Sequence, residues 1–210
     1  YHSTHLQGQF MVWRMLPDIE VKSVSAIWAK DVVHYGLIIS DGYFLENLDT
    51  LLDLWQSYCL DPIKASKMRL HIGCVPPLND KLQGHINKLE IKNINIYTTS
   101  NIFGAMIFKC DYYLNVGYHL DVYAIWAHSR GRKVIAMKYG EMKDYTGIIS
   151  VPYQLGTIQI CPDLLQDHSH CSGGSSGGES KCLIYGSHVA QNVPIIENDG
   201  LIKIFDSLLK

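Results

Sequence analysis

A group of polar residues and one glycine lies just before a predicted helix in the middle of the chain. The residues are Asn115, Gly117, Tyr118, His119 and Asp121, and the helix begins near Val122. A helix N-terminus presents unpaired backbone N–H groups and a partial positive charge, which together suit a diphosphate. Gly117 would allow a ligand to approach the backbone closely, and His119 would donate a hydrogen bond to a phosphate oxygen. A purely structural interpretation is also open: Asp121 caps the helix, Tyr118 packs in the core and His119 is an ordinary loop residue.

Other site chemistries fit the remaining His and Cys residues poorly. A nitrogen and sulfur metal site would use His168, His170, Cys171, Cys161 and Cys182. Structural zinc sites have tight spacings of the Cys-x-x-Cys type, whereas this group straddles a Gly/Ser-rich run. No Gly-x-Ser-x-Gly motif occurs, and His71 lies inside an apolar strand, where a hydrogen-bonded core histidine is expected. We therefore predict no metal site, no bound cofactor and no hydrolytic nucleophile.

Composition limits the class of protein. The 210 residues are 47% hydrophobic and only 18% charged, which predicts a globular fold rather than a disordered chain. The formal net charge of −2 provides no broad basic field for nucleic acid. No apolar run approaches the roughly 18 residues of a transmembrane helix, and no leader pattern is present. The Cys residues form no Cys-x-x-Cys pair, which indicates reduced thiols and a cytoplasmic location.

One low-complexity run divides the chain. Residues 172–178 read Ser-Gly-Gly-Ser-Ser-Gly-Gly, a composition typical of a designed flexible linker. The predicted organisation is an α/β body over 1–171, the linker over 172–178 and a tail over 179–210. In the tail we predict a strand at 181–185, an extended segment at 193–196 and an amphipathic helix at 200–209. That helix either packs on the body or belongs to a fused partner segment. Because the first residue is Tyr1 rather than Met, we expect a piece of a longer protein.

The elements that must position the polar group alternate between strands and helices. The predicted strands are 19–28, 32–40, 67–73, 94–97, 112–116 and 134–137. The predicted helices are 47–58, ended by Asp61-Pro62, then 78–89, 102–108 and 122–130, the last closed by Gly131. Strands connected by helices of this length require right-handed crossovers. The sequence therefore predicts an α/β fold, a Rossmann-like parallel sheet with helices on both faces.

Several of these segments carry a family resemblance. They are 46–55 with its Asn-Leu pattern, 68–73 ending in Gly, 93–97, 110–116 with Asp111 near its start, and the Ala-x-x-x-Gly-x-x-Val-Ile run over 127–135. Together they resemble the C-terminal, nucleotide-sugar-binding half of GT-B glycosyltransferases, over about residues 37–136.

The resemblance implies a glycosyltransferase, or a subunit of one, that binds a UDP-linked or related nucleotide sugar. The donor would be a substrate, bound at the carboxyl ends of the strands near a reversal of strand order. The implied binding residues are Gly73, Asn115, Gly117, Tyr118, His119, Asp121, Arg130, Arg132 and Lys133. The three basic residues, with Lys138, would supply charge for the diphosphate; as an alternative, they form a solvated helix end.

The chain departs from the family pattern at two positions. Many retaining members carry two Glu residues flanking the helix, eight residues apart, and the matching positions here are Tyr118 and Trp126. This departure leaves a non-catalytic binding or scaffold module of the same fold as the alternative, similar to partner subunits of bacterial protein O-glycosyltransferase complexes. Either interpretation leaves room for a second domain or a partner subunit. A stand-alone nucleotide-processing enzyme of similar fold is a third interpretation.

Overall fold

A computed structural model describes residues 28–39, 47–74, 78–88, 90–117, 121–159 and 189–209. The strands are β1 (Val33–Ile39), β2 (Met68–Cys74), β3 (Ile94–Tyr97), β4 (Tyr112–Asn115), β5 (Lys133–Met137), β6 (Ile149–Val151), β7 (Tyr153–Gln159) and β8 (Val189–Ile196). The helices are α1 (Leu48–Tyr58), α2 (Pro62–Ser66), α3 (Leu78–Lys88), α4 (Ser100–Lys109), α5 (Val122–Ser129) and α6 (Asn198–Leu208), with a 3₁₀ turn at Gly140–Asp144. Among these helices, none is long and apolar enough to span a bilayer.

Six strands form one parallel sheet in the order β3-β2-β1-β4-β5-β6. This order is that of the Rossmann fold, with β1 at the centre and the chain progressing outward first to one side and then to the other. The predicted fold class is confirmed. The predicted strands that fall within the described residues each match an observed strand to within one or two residues.

Successive side chains of the central strands point to opposite faces of the sheet, and each face carries an apolar layer. Tyr35, Leu37 and Ile39 face one layer, which holds side chains of α1, α3 and α6. Ile38 faces the other layer, made by α4 and α5. Helices therefore cover both faces of the sheet, as a buried parallel sheet requires. Gly36 faces α4, where an added Cβ would lie 2.7 Å from the Cys110 sulfur, so the close approach of this helix depends on the missing side chain.

The Asp61-Pro62 pair differs from its prediction. The first helix, α1, already ends at Tyr58, and Asp61 instead begins α2. Its carboxylate accepts hydrogen bonds from the backbone N–H groups of Ile63, at 2.8 Å, and Lys64, at 3.4 Å. Pro62 occupies the first helical position, where a backbone N–H has no intrahelical partner. The sequence predicted that this pair ends α1, whereas in the structure it begins α2.

The C-terminal segment returns to the body. Strand β8 pairs with β7 in an antiparallel sheet, and α6 packs against α1. Phe205 of α6 is fully buried, with its ring centroid 5.0 Å from that of Tyr35 and 5.8 Å from that of Trp55. The extended segment and the helix predicted for the tail are confirmed. The predicted strand at 181–185, the linker at 172–178 and all but the last residue of the strand at 19–28 lie outside the described residues.

Candidate functional site: the switch point between β1 and β4

The order of the strands reverses between β1 and β4. In open α/β sheets, ligands bind outside the carboxyl ends of the strands at this switch point. Here the ladder between the two strands is restricted to Tyr35 with Tyr112 and Gly36 with Tyr113, whereas the β1–β2 ladder extends to Ile39. The two strands therefore separate toward their carboxyl ends. The topology and the short ladder therefore make this edge the expected place for a ligand crevice.

Tyr113 and Asp121 form a buried hydrogen-bonded pair at the switch point. The Tyr113 hydroxyl donates to Asp121 Oδ2 at 2.5 Å and accepts the Ile38 backbone N–H at 3.3 Å. The β1–β4 ladder stops before Ile38, so the Tyr113 hydroxyl oxygen takes the place of a backbone acceptor for the Ile38 N–H. Both side chains are buried, and burial, followed by the Asp121 charge, raises the pKa of Tyr113 well above its usual value.

Asp121 is the N-cap of α5. Its Oδ1 accepts the backbone N–H of Tyr123 at 2.8 Å, which satisfies one of the unpaired donors of the first turn. The capping interpretation is thus confirmed. Both carboxylate oxygens are therefore engaged within the protein.

Asn115 and Gly117 shape the loop that follows β4. Asn115 Oδ1 accepts the Gly117 backbone N–H at 3.1 Å, and this contact holds a turn in which the side chain mimics the backbone. Both residues are buried at the carboxyl edge. Of the predicted site residues, Asn115, Gly117 and Asp121 are brought together here. Tyr118 and His119 lie outside the described residues.

Asn47, the Asn of the Asn-Leu pattern, was not among the predicted site residues and forms a buried hydrogen-bonded junction. Its fully buried side chain donates to the carbonyl oxygens of Val116 at 3.0 Å and Pro194 at 3.1 Å, and its Oδ1 accepts the Ile196 N–H at 3.2 Å. It precedes α1 without capping that helix through its side chain. Asn47 joins the start of α1, the loop after β4 and strand β8 at one side of the crevice. The Asn-Leu pattern and its position directly before an apolar helix were the available signals, and neither indicated these contacts.

Gly73 lies near the end of β2, one strand away from the switch point. An added Cβ would lie 2.8 Å from Phe103 Cδ1 of α4 and 3.1 Å from Ile38 Cγ1. The space that a side chain would need is therefore filled by the packing of α4 on the sheet. In the described structure Gly73 contributes to the layer beneath the crevice.

The basic residues Arg130, Arg132 and Lys133 lie at the opposite edge of the sheet. They follow the C-terminus of α5, an eight-residue helix about 12 Å long, and lead into the amino end of β5. The guanidinium of Arg132 lies 4.9 Å from the centroid of the Phe108 ring, and the Lys133 ammonium lies 5.6 Å from that of Tyr112. The structure thus does not bring these residues together with Asn115, Gly117 and Asp121. Lys138, in contrast, follows the carboxyl end of β5 and is half-buried.

The contacts of the His and Cys residues in the described part of the chain are those of side chains that support the fold. His71 is buried and hydrogen-bonded, as predicted for a core histidine. Cys59, Cys74 and Cys110 form no disulfide within the described residues, and burial raises the pKa of Cys74 to about 12. Across the described ranges, no group of three or more His, Cys, Asp or Glu residues is placed to hold a metal ion.

Comparison with known proteins gives matches among solved structures alone. No protein-family model and no curated protein matches the sequence. The chain is similar to WaaG, a glycosyltransferase involved in lipopolysaccharide biosynthesis (13% identity, TM-score 0.45, 54% of this chain and 30% of that one). It is also similar to OtsA in its apo form (9% identity, TM-score 0.48, 59% and 33%). A third similar structure is a UDP-forming trehalose-phosphate synthase from Burkholderia xenovorans (10% identity, TM-score 0.46, 58% and 33%). The chain spans about a third of the length of these structures. Its fold assignment rests on its own strand order.

Proposed function

We propose that this chain is the donor-binding part of a glycosyltransferase and that the crevice between β1 and β4 holds a nucleotide sugar. The observation that carries the proposal is the switch point itself, where the β1–β4 ladder ends early and buried polar residues follow β4. Ligands of open α/β sheets bind at this position. The motif resemblance given above makes a UDP-linked sugar the first donor to test.

In this proposal the residues around the crevice have different roles in binding the diphosphate. Gly117, which closes the turn after Val116, has no side chain, so we expect a diphosphate to approach the backbone there. The Asp121 carboxylate already caps α5, so we expect the phosphate to bind away from the helix axis. Lys138, at the carboxyl end of the neighbouring strand β5, is our candidate for the countercharge in place of Arg130, Arg132 and Lys133. During transfer, backbone amides and this ammonium would stabilise the charge that develops on the leaving diphosphate.

Lys138 and Lys133 provide a matched test. They are the same residue type and flank the two ends of β5, about 16 Å apart at the rise of a parallel strand. Calorimetric titration with UDP and a panel of UDP sugars should give saturable binding to the unmodified chain. Lys138→Ala should weaken that binding about tenfold, the effect of losing a contact worth about 1.4 kcal/mol. Lys133→Ala should leave binding unchanged.

Two results would reject the proposal. If no nucleotide gives heat or a thermal shift, the donor-binding hypothesis is rejected and the non-catalytic module is favoured. A weakened affinity in Lys133→Ala but not in Lys138→Ala would place the ligand at the amino edge, where open α/β sheets do not bind their ligands.

A further inference from the structure

Two buried histidines face each other on the α4 side of the sheet. Nδ1 of His34, on β1, lies 2.9 Å from Nε2 of His71, on β2. The Trp28 ring covers the pair: it stacks on His71 with a centroid distance of 3.9 Å and an interplanar angle of 10°, and it lies 4.6 Å from His34. The exposed fraction is 8% for His34 and 1% for His71. These rings belong neither to the crevice nor to the proposed donor site.

The hydrogen-bond partners assign the protonation of both rings. His34 Nε2 lies 3.1 Å from the Ala29 carbonyl oxygen, an acceptor only, so Nε2 carries the proton and Nδ1 is an acceptor. His71 Nε2 must then donate to His34 Nδ1. The remaining nitrogen, His71 Nδ1, accepts from the Tyr97 hydroxyl at 3.1 Å and from the Asn95 amide at 3.4 Å. With both rings neutral, every ring nitrogen has a hydrogen-bond partner.

An additional proton on His71 disturbs this network. It must bind to Nδ1, so Tyr97 and Asn95 would have to turn from donors into acceptors. The charge would then lie in a ring that is only 1% exposed. Burial, followed by the charges of His34 and Arg69, lowers the pKa of His71 to about 3.

The charged groups around the pair come from three elements. Arg69, on the same strand as His71, pairs in register with His34. Lys109, at the end of α4, places its ammonium 5.9 Å from the centroid of the Trp28 ring. Asp111, before β4, accepts the His34 backbone N–H at 2.8 Å and is the negative group that opposes them. Cys110 packs against Gly36 beside the pair, and burial raises the pKa of its thiol.

We propose that His34 and His71 form a pH-sensitive latch that holds residues 28–32 on the sheet when both rings are neutral and releases them when His71 is protonated. The held segment leads directly into β1. Its residues Lys30 and Asp31 form one wall of a groove of about 420 Å³ at the amino edge of the sheet, opposite Lys67, Tyr112 and Leu209. Opening of the latch therefore reshapes this groove and leaves the carboxyl edge unchanged.

Hydrogen exchange as a function of pH tests the latch. With a pKa of about 3 in the closed state and 6.5 in the open state, the opening equilibrium should rise about 30-fold between pH 7.5 and pH 5. The amides of residues 28–34, corrected for intrinsic exchange, should show this increase, whereas those of β5 should not. His71→Gln should abolish the pH dependence, and the control His128→Gln, on the half-buried end of α5, should preserve it.

A measurement on the unmodified chain keeps the test independent of how the variants fold. Ring ¹⁵N shifts should identify Nε2–H tautomers for His34 and His71 at pH 7.5, with His71 untitrated above pH 5. The proposal is overturned if His71 titrates near pH 6.5 in the folded protein or if His71→Gln keeps the pH dependence. It is also overturned if the amides of residues 28–34 show the same pH dependence of exchange as those of β5.

Discussion

Two buried tyrosines offer a direct comparison of the hydrogen bonds at the switch point. The Tyr113 hydroxyl makes two, one to the Asp121 carboxylate at 2.5 Å and one from the Ile38 N–H at 3.3 Å. The Tyr35 hydroxyl is equally buried and has no hydrogen-bond partner within the described residues. Replacing either residue by Phe removes one oxygen atom and keeps the ring. The hydrogen bonds, and not the packing, therefore distinguish the two variants.

Tyr113→Phe should destabilise the fold by about 2–4 kcal/mol. A hydrogen bond to a charged group contributes about 1.5–3 kcal/mol, and an unsatisfied buried N–H at Ile38 costs about 1 kcal/mol more. Tyr35→Phe should change stability by less than about 1 kcal/mol, in the stabilising direction, since it removes an unsatisfied polar atom.

Urea denaturation followed by far-ultraviolet circular dichroism measures both free energies of unfolding. With a slope of about 2 kcal/mol per molar urea, the midpoint of Tyr113→Phe should fall by about 1–2 M, while that of Tyr35→Phe should stay or rise. Equal destabilisation of the two variants, or a neutral Tyr113→Phe, would refute the hydrogen-bond account of the switch point.

Three further substitutions test the packing around the crevice. Gly73→Ala should lower stability by about 1–3 kcal/mol because its Cβ meets Phe103, and Phe103→Leu in the same chain should restore part of the loss in thermal denaturation. Asn47→Ala should accelerate exchange of the Ile196 amide at least tenfold, since it removes that amide's acceptor; unchanged exchange would contradict the anchoring role. Phe205→Ala should cost about 3–5 kcal/mol and weaken the near-ultraviolet signal of the aromatic cluster, and a loss below 1 kcal/mol would show that α6 does not contribute to the core.

Local chemistry made much of the fold predictable. The largely apolar stretch of β1, the Gly131 stop, where φ is +75°, and the Asp121 cap each follow from residues within one turn or strand. The alternation of strands and helices then implies the parallel sheet. Strands β6 and β7 were not predicted: β6 has three residues, too few for a pattern, and β7 is interrupted by Gly156.

Contacts between distant parts of the chain were beyond the reach of the sequence. Asn47 bonds to residues 69 and 147 positions away, and His34 meets His71 across two strands. The grouping of Arg132 and Lys133 with Asp121 relied on closeness along the chain. Because a helix intervenes, these residues lie at opposite edges of the sheet. Sequence distance measures proximity poorly wherever an element carries the chain from one edge to the other.

The most direct test of donor binding is to map the ligand on the backbone. In a ¹H–¹⁵N correlation titration with UDP, the account predicts saturable shifts of the Ile38 and Gly117 amides at the carboxyl edge, with the amides of Arg132 and Lys133 unmoved. Shifts confined to Arg132 and Lys133, or no shift at any amide at millimolar UDP, would contradict a nucleotide site at the switch point.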